Sequence, residues 1–547
     1  MSTSNSPIDD KFVFNKNDNI GSAGAEDDEQ YLSECFVDNG DIAVLSNCKD
    51  PKSIIVGRTG AGKTALLSEL EKTGHRIILL SPHSLALNYI SNNNVIRFFE
   101  EVGLNLLPFY SLLWKHILVV ELLKDKFGIC SNETQKQGMI RLREMVGNDN
   151  IKEQAIDYLE KWGSKFWLTT EQRMQELTSK VEKSLSGTLD VSAGPLTMTG
   201  KGAQSLSAEE KAKVIERGRQ AVNAVQIREL ENLISILNEV LHSNKQQQYY
   251  VLIDSLDETW AEDALRFRLI KALIDSIKRF RKVEPLKIIL AMRQDLLSKV
   301  LHSSPDAGFQ EEKYESLYLY VTWNQQQLKD LVNRRLNLLV RRRYTNSELE
   351  FDDLFPQSVD QKNTFLYMIE RTMLRPRDII FFVNECIEIS DGRDKLTADV
   401  VKHAEENYSQ KRLTSLFHEW QLAFPHLKYY ISFIHNFKAN FQLNQLTEEH
   451  ILARFEESSN EIYNMDSDPV TQRVNRLYAG EGNFNSIRAY IVQVFYDVGV
   501  VGIKLGSTSS VKWSHNSNFR ISTSQISSGS VLHIHPMYYR ALNIHFK

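Results

Sequence analysis

The sequence predicts an α/β fold, a parallel sheet covered by helices on both faces, and three features carry that expectation. A β-branched run, Ser53-Ile54-Ile55-Val56, leads directly into a glycine loop and a helix. Apolar strands and helical patterns then alternate along the chain. One of these strands, Tyr249 to Asp254, ends in a carboxylate.

The chain has 547 residues, too many for one core, because cores stop growing near ~250 to 300 residues. Hydrophobic residues at 42%, charged residues at 25% and only 12 prolines describe a folded globular protein rather than a disordered or fibrous one. The formal charge of -5 gives no global attraction to nucleic acid or anionic membrane, so nucleic acid is a partner the net charge does not indicate. Cys35, Cys48, Cys130 and Cys386 form no C-x-x-C pair, which points away from a zinc knuckle or disulfide framework and suits a cytoplasmic setting. The start, MSTSNSPIDDKF, has no basic flank and apolar run, and no signal peptide, membrane span or membrane partner is expected.

Residues 1–50 read as an N-terminal lead-in, with the acidic stretch Ala25 to Glu29, a helical run from Tyr31 to Leu45, and packing beside the first strand. The α/β core is expected over 51–108 plus 245–323, with strands at 53–56, 76–80, Tyr249 to Asp254, Leu286 to Met292 and Leu317 to Trp323, and a helix from Ala261 to Phe280. Residues 109–244 read as a helical insertion whose middle turns to Ser, Gly and Thr between Ser184 and Ser207. A helical lid is expected over 324–410. A helix from Ile487 to Val498, followed by short strands at 502–513 and 531–535, predicts a winged-helix-like domain within 411–547.

Gly57-Arg58-Thr59-Gly60-Ala61-Gly62-Lys63-Thr64 matches G-x-x-x-x-G-K-[ST], the P-loop pattern in which glycines let backbone amides wrap phosphates at a helix N-terminus. In that reading Lys63 neutralises β- and γ-phosphate charge, and Thr64 ligates Mg2+. Asp254, at the C-terminal edge of a buried strand, is the second magnesium candidate. Asp257 and Glu258 follow within a turn and are candidates to polarise an attacking water; which of them acts stays open, and helix capping is the competing use. Arg293, at the end of the Ile288 to Met292 strand, is a sensor candidate, with a salt bridge as the alternative. Arg377 in Leu374-Arg375-Pro376-Arg377-Asp378 is a lid candidate for contacting the nucleotide. Arg334-Arg335 and Arg341-Arg342-Arg343 read as a solvated helix face before an arginine finger or a phosphate-backbone contact. His533 and His535 share a strand face, and a packed or surface pair is favoured over a metal site.

The segment Ile253-Asp254-Ser255-Leu256-Asp257-Glu258 resembles the D-[GAS]-hydrophobic-D-E form of the signal-transducing (STAND, NACHT-like) and KAP-type P-loop ATPases. It departs from the usual AAA+ form, whose glutamate directly follows the aspartate, because Ser255 stands there. The similarity extends over about residues 20 to 410, through Arg293, the Trp323 region, and the Arg-Pro-Arg-Asp helix followed by Asn384. A little-characterised bacterial P-loop ATPase family is also similar, through the same glycine loop, the acidic Ala-Glu-Asp-Asp segment, Gly499 and His535-Pro536. The resemblance implies the strand order of the additional-strand class, ATP and Mg2+ as cofactors, and a homo-oligomeric switch in a bacterial defence setting; a separate effector protein belongs to the scaffold expectation below, since no nuclease, protease or deaminase constellation is visible in the sequence. Two rival expectations are a DNA-associated AAA+-like motor or loader and a nucleotide-binding scaffold with little turnover.

Overall fold

A computed structural model describes residues 12–22, 24, 28–73, 75–82, 94–127, 207–224, 228–241, 247–256, 258, 263–302, 312–341, 349–421, 423–458, 468–506, 508–516 and 521–545. The chain divides into two compact units. A sheet unit takes Asp38–Arg58 and Lys63–Val321; a C-terminal unit takes Met1–Val37, Thr59–Gly62 and Thr322–Lys547.

In the sheet unit, helices α1 (Asp41–Leu45) and α2 (Lys63–Glu71) flank strand β1 (Ile54–Gly57) in sequence, and β2 (Arg76–Leu80), β3 (Tyr249–Ile253), β4 (Leu286–Arg293) and β5 (Tyr318–Tyr320) complete a five-stranded sheet. The strand order is β2-β3-β4-β1-β5, and every neighbouring pair is parallel. Strand β4 therefore stands between the strand that leads into the glycine loop and the strand that ends before Asp254. All of β1 and β3, and β4 up to Met292, are buried at consecutive positions. Successive strand side chains point to opposite faces, so the centre of this sheet is covered on both, while edge strand β2 is only partly covered and exposes Leu79. The architecture is that of a P-loop NTPase-like fold.

Helix α3 (Leu107–Phe127) packs along α4 (Asp263–Phe280), and Trp114 anchors the pair by donating its indole N–H to the Leu269 carbonyl at 2.8 Å. Trp114, Leu118, Val119 and Leu122 join the core that contains Ile54, Val251 and Leu290, so the start of the 109–244 segment is part of the sheet's hydrophobic packing. Residues 128–206 of that segment lie outside the described residues. The last strand is shorter than its sequence pattern: Val321 still donates to the Val56 carbonyl, but Trp323 has left the sheet.

In the C-terminal unit, α5 (Gln325–Arg341), α6 (Pro376–Glu388) and α7 (Ala398–Trp420) precede strand β6 (Asn440–Gln442), helices α8 (Glu448–Ser458), α9 (Pro469–Tyr478) and α10 (Phe484–Val498), and strands β7 (Val501–Lys504) and β8 (Val531–Ile534). The three strands form an antiparallel sheet in the order β6-β8-β7, a winged-helix-like arrangement. Strand β6 is absent from the sequence reading, because three residues give too short an alternation to register. Helix α10 ends at Gly499, whose φ of 88° supplies the left-handed cap. It is largely buried through Ile491, Val492, Phe495 and Val498.

Two N-terminal expectations change. The helical run from Tyr31 to Leu45 is two helices, Glu29–Cys35 and α1, broken before Gly40, whose φ of 92° cannot continue a helix. The lead-in does not accompany the first strand as a whole, since Met1–Val37 clusters with the C-terminal unit. A buried ion pair explains this: Arg335 on α5 meets Asp28 at 2.6 Å, both side chains nearly inaccessible. Arg335 is therefore turned inward rather than lying on a solvated face. Arg334 beside it is exposed, pairs with Asp330 and donates to the Phe36 carbonyl; Arg342 and Arg343 lie outside the described residues. Among the described residues no helix is long and apolar enough to cross a membrane.

Candidate functional site

The glycine loop joins β1 to α2, and its ends belong to the sheet unit while its apex, Thr59–Gly62, clusters with the C-terminal unit. Gly60 and Gly62 have φ of 77° and 96°, the left-handed region that gives a loop its inward-facing amides and that favours glycine.

In the sheet unit, Lys63 folds its ammonium back on the loop, donating to the carbonyls of Gly57 at 3.3 Å and Arg58 at 3.2 Å. The Thr64 hydroxyl donates to Asp254 Oδ2 at 3.1 Å. Asp254 Oδ1 accepts the Ser255 amide at 2.8 Å, and Ser255 takes a left-handed φ of 60°, uncommon for a residue with a Cβ. Glu258 is exposed. Its backbone carbonyl is held by Arg266, a guanidinium only 1% exposed, at 2.8 Å. Asp257 lies outside the described residues. Arg293 pairs opposite Gly57 in the sheet register and makes two 2.9 Å contacts to Asp295, so its guanidinium is already engaged in a local bidentate pair.

In the C-terminal unit, helix α6 starts at the loop apex. Pro376 occupies its first turn, and the residue before a proline is driven from the helical region, so Arg375 is extended with φ -120° and ψ 141°. Arg375 is buried; Nη1 donates to the Thr59 carbonyl at 3.0 Å and Nε to Asp378 Oδ2 at 2.9 Å. The Arg377 amide donates to the Gly60 carbonyl at 3.4 Å. A Cβ on Gly60 would lie 2.5 Å from that of Arg377, so a side chain there would displace the helix start. Trp323 donates its indole N–H to the Ala61 carbonyl at 2.8 Å.

Burial opposes the charge on Asp378, but Arg375 and Arg412 outweigh it and hold the carboxyl well below the usual carboxylate range. Burial, with repulsion from Arg375 and Arg412, lowers the Arg377 pKa, against the pull of Asp378 and Glu419. Farther along α6, Asn384 exchanges hydrogen bonds with the N-terminal segment, accepting from the Ile20 amide and donating to the Gly21 carbonyl, both at 2.9 Å. Beside it lies a cavity of about 420 Å³ lined by Asn19, Gly21, Ser22, Asp28, Gln30 and Tyr31.

Of the residues expected from sequence, Thr64 and Asp254 meet directly, and Arg377 meets the apex of the loop. Arg293 and Glu258 make the local contacts given above. Sequence reasoning named the Arg375 segment and the Trp323 region but chose Arg377 over Arg375 and gave Trp323 no role; the position before Pro376 was the available signal for Arg375, since it frees a side chain from the helix. His535 is buried and accepts the Met537 amide at 3.2 Å, capping the Pro536–Tyr538 turn.

The donor set at Thr64 and Asp254, one hydroxyl and one carboxylate, consists of the hard oxygen ligands that magnesium takes. Comparison with known proteins adds three findings. The family described as the FunZ-associated C-terminal helical domain matches residues 326–417, which run from α5 through most of α7. A putative transposon gamma-delta 80.3 kDa protein of Escherichia coli (strain K12) is 23% identical over 540 residues, covering 97% of this chain and 68% of that protein. A solved Walker-type ATPase of Pyrococcus abyssi aligns over 88% of this chain and 93% of its own, with 14% identity and a TM-score of 0.30.

Proposed function

We propose that this chain is a Mg-ATP-binding P-loop ATPase whose hydrolysis resets a conformational or oligomeric switch. The observation that carries this reading is the 3.1 Å contact between Thr64 and Asp254. It joins the last residue of the glycine motif to the carboxylate that ends a buried parallel strand, where phosphate-bound magnesium needs both.

In this mechanism the amides of residues 60–62 and the α2 N-terminus hold phosphate oxygens. Lys63 leaves the Gly57 and Arg58 carbonyls to take β- and γ-phosphate charge. Thr64 and Asp254 hold the magnesium ion, which supplies charge neutralisation on the phosphates. Asp257 or Glu258 accepts a proton from the attacking water, a role that needs a carboxylate within hydrogen-bond reach of the γ-phosphate. Arg377 contacts phosphate from the start of α6, where its amide already meets the Gly60 carbonyl.

Calorimetric titration of wild type and Asp254→Asn with ATP, with and without magnesium, tests the reading. It predicts tight magnesium-dependent binding by wild type and loss of the magnesium effect in the variant. Binding that ignores magnesium in both proteins would sink it.

The defence setting rests on the motif resemblance alone. A second reading, a DNA-associated motor, is favoured by the winged-helix-like order β6-β8-β7 and by the transposon named in the Escherichia coli relative. The buried character of α10 weighs against it, because a groove-reading helix needs an exposed face. Binding to duplex DNA that weakens steeply with salt would favour the motor.

A further inference from the structure

We propose that Arg375 and Trp323 are positioning residues of a carbonyl clamp, which presets the amides of the glycine loop for phosphate before any ligand arrives. The inference rests on the phosphate-binding reading above.

Three consecutive carbonyls at the loop apex are each tied back by a group of the C-terminal unit. Thr59 O accepts from Arg375 Nη1 at 3.0 Å, Gly60 O from the Arg377 amide at 3.4 Å, and Ala61 O from Trp323 Nε1 at 2.8 Å. In a trans peptide the C=O and the following N–H point in opposite directions. Holding carbonyls 59, 60 and 61 toward the clamp therefore aims amides 60, 61 and 62 away from it, in succession. Successive amides aimed one way form an anion-binding concavity. The glycines complete the device: Gly60 permits the close approach of Arg377, and Gly62 supplies a left-handed φ of 96°.

The clamp is itself rigidly held. Leu374 adopts φ 51°, a left-handed conformation that a branched side chain seldom takes, and this turn delivers Arg375 to the loop. Asp378 fixes Arg375 from one side and receives Arg412 at 3.2 Å from α7. Three residues before Arg412, the Ser409 hydroxyl donates to the Met537 carbonyl at 2.6 Å and accepts the Ala541 amide at 3.1 Å. The loop apex is thereby linked, through two helices, to the C-terminal turn at 536–541.

The discriminating variants are Arg375→Lys, which cannot span both Asp378 and Thr59 with a planar fork, and Trp323→Phe, which keeps an aromatic side chain and removes the donor together with the pyrrole part of the indole. Calorimetry on the full chain with pyrophosphate, ADP and Mg-ATP, corrected for the folded fraction from melting curves, gives the readout. The clamp predicts a loss of about tenfold in affinity for all three ligands in each variant, because the amides hold phosphates common to them. A purely structural role would lower the melting temperature and leave the corrected affinities unchanged. Affinities of folded Trp323→Phe within twofold of wild type overturn the clamp, whether or not Arg375→Lys folds. Wild type that binds pyrophosphate but not ATP overturns the ATPase reading alone, and wild type that binds neither overturns both.

Discussion

Thr64 and Asp254 are separated by 190 positions in sequence and by 3.1 Å in space. The parallel sheet accounts for the convergence: β1 and β3 flank β4, and their C-terminal ends lie at the same edge. On the proposed reading, removing either oxygen takes away one of the two side chains that would hold magnesium. Thr64→Ala and Asp254→Ala are each expected to raise the magnesium concentration for half-maximal ATP turnover by roughly tenfold or more, measured by titrating the metal at saturating ATP. Unchanged metal dependence in both variants would remove these residues from the metal site.

Gly60 cannot carry a side chain without cost. Its φ of 77° strains any residue with a Cβ, and that atom would meet Arg377 at 2.5 Å. Strain of about 1–3 kcal/mol at such a position corresponds to roughly 5- to 150-fold weaker nucleotide binding for Gly60→Ala. Equilibrium binding of a fluorescent ADP analogue checks this. Gly392, also at positive φ but with open space around it, is the control, and Gly392→Ala should leave the affinity unchanged.

Asp378 is fully buried between Arg375 and Arg412. Asp378→Asn leaves two guanidiniums without their shared carboxylate and is expected to cost about 3–5 kcal/mol, read by urea unfolding. Because the folded pKa is lowered, the unfolded chain takes up this proton first as pH falls. The carboxylate's contribution is therefore complete above about pH 4 and is lost below it. Wild type should lose stability faster than Asp378→Asn as pH drops from 5 to 3.

Lys287 gives the opposite sign. Burial pushes its ammonium down to about 8, although it donates to the carbonyls of Val44, in the last turn of α1, and Asn47, just beyond it, both at 2.8 Å. Between that value and its ordinary 10.5 the unfolded chain binds a proton that the folded chain does not. This group's contribution to stability therefore rises with pH through that window and is lowest below it. Lys287→Met, compared with wild type in denaturant melts from pH 7 to 10, should flatten that rise. Parallel curves would show that the ammonium is not the source.

How far the sequence carried these conclusions depended on the length of each signal. The glycine loop, the apolar strand before Asp254 and the Leu286 to Met292 strand were legible because local pattern and final environment agree, buried runs in a two-faced parallel sheet. Thr64, Asp254 and Arg377 were legible because a motif or a strand end announces them. Arg375 was not, because its role depends on a left-handed Leu374 and on a carbonyl more than 300 positions away. Arg335 was misread as part of a basic surface, since its partner Asp28 lies in the distant N-terminal segment. The three-residue strand β6 exists only through its pairing with β8, which no local pattern encodes.

The most direct test of the central claim is steady-state phosphate release from Mg-ATP by wild type, Lys63→Ala, and the double variant Asp257→Ala with Glu258→Ala. The account predicts turnover by wild type, and its reduction by roughly 100-fold or more in each variant, with ADP still bound by the carboxylate variant. Wild type that binds ATP and releases no phosphate, or variants that turn over as wild type does, would contradict it.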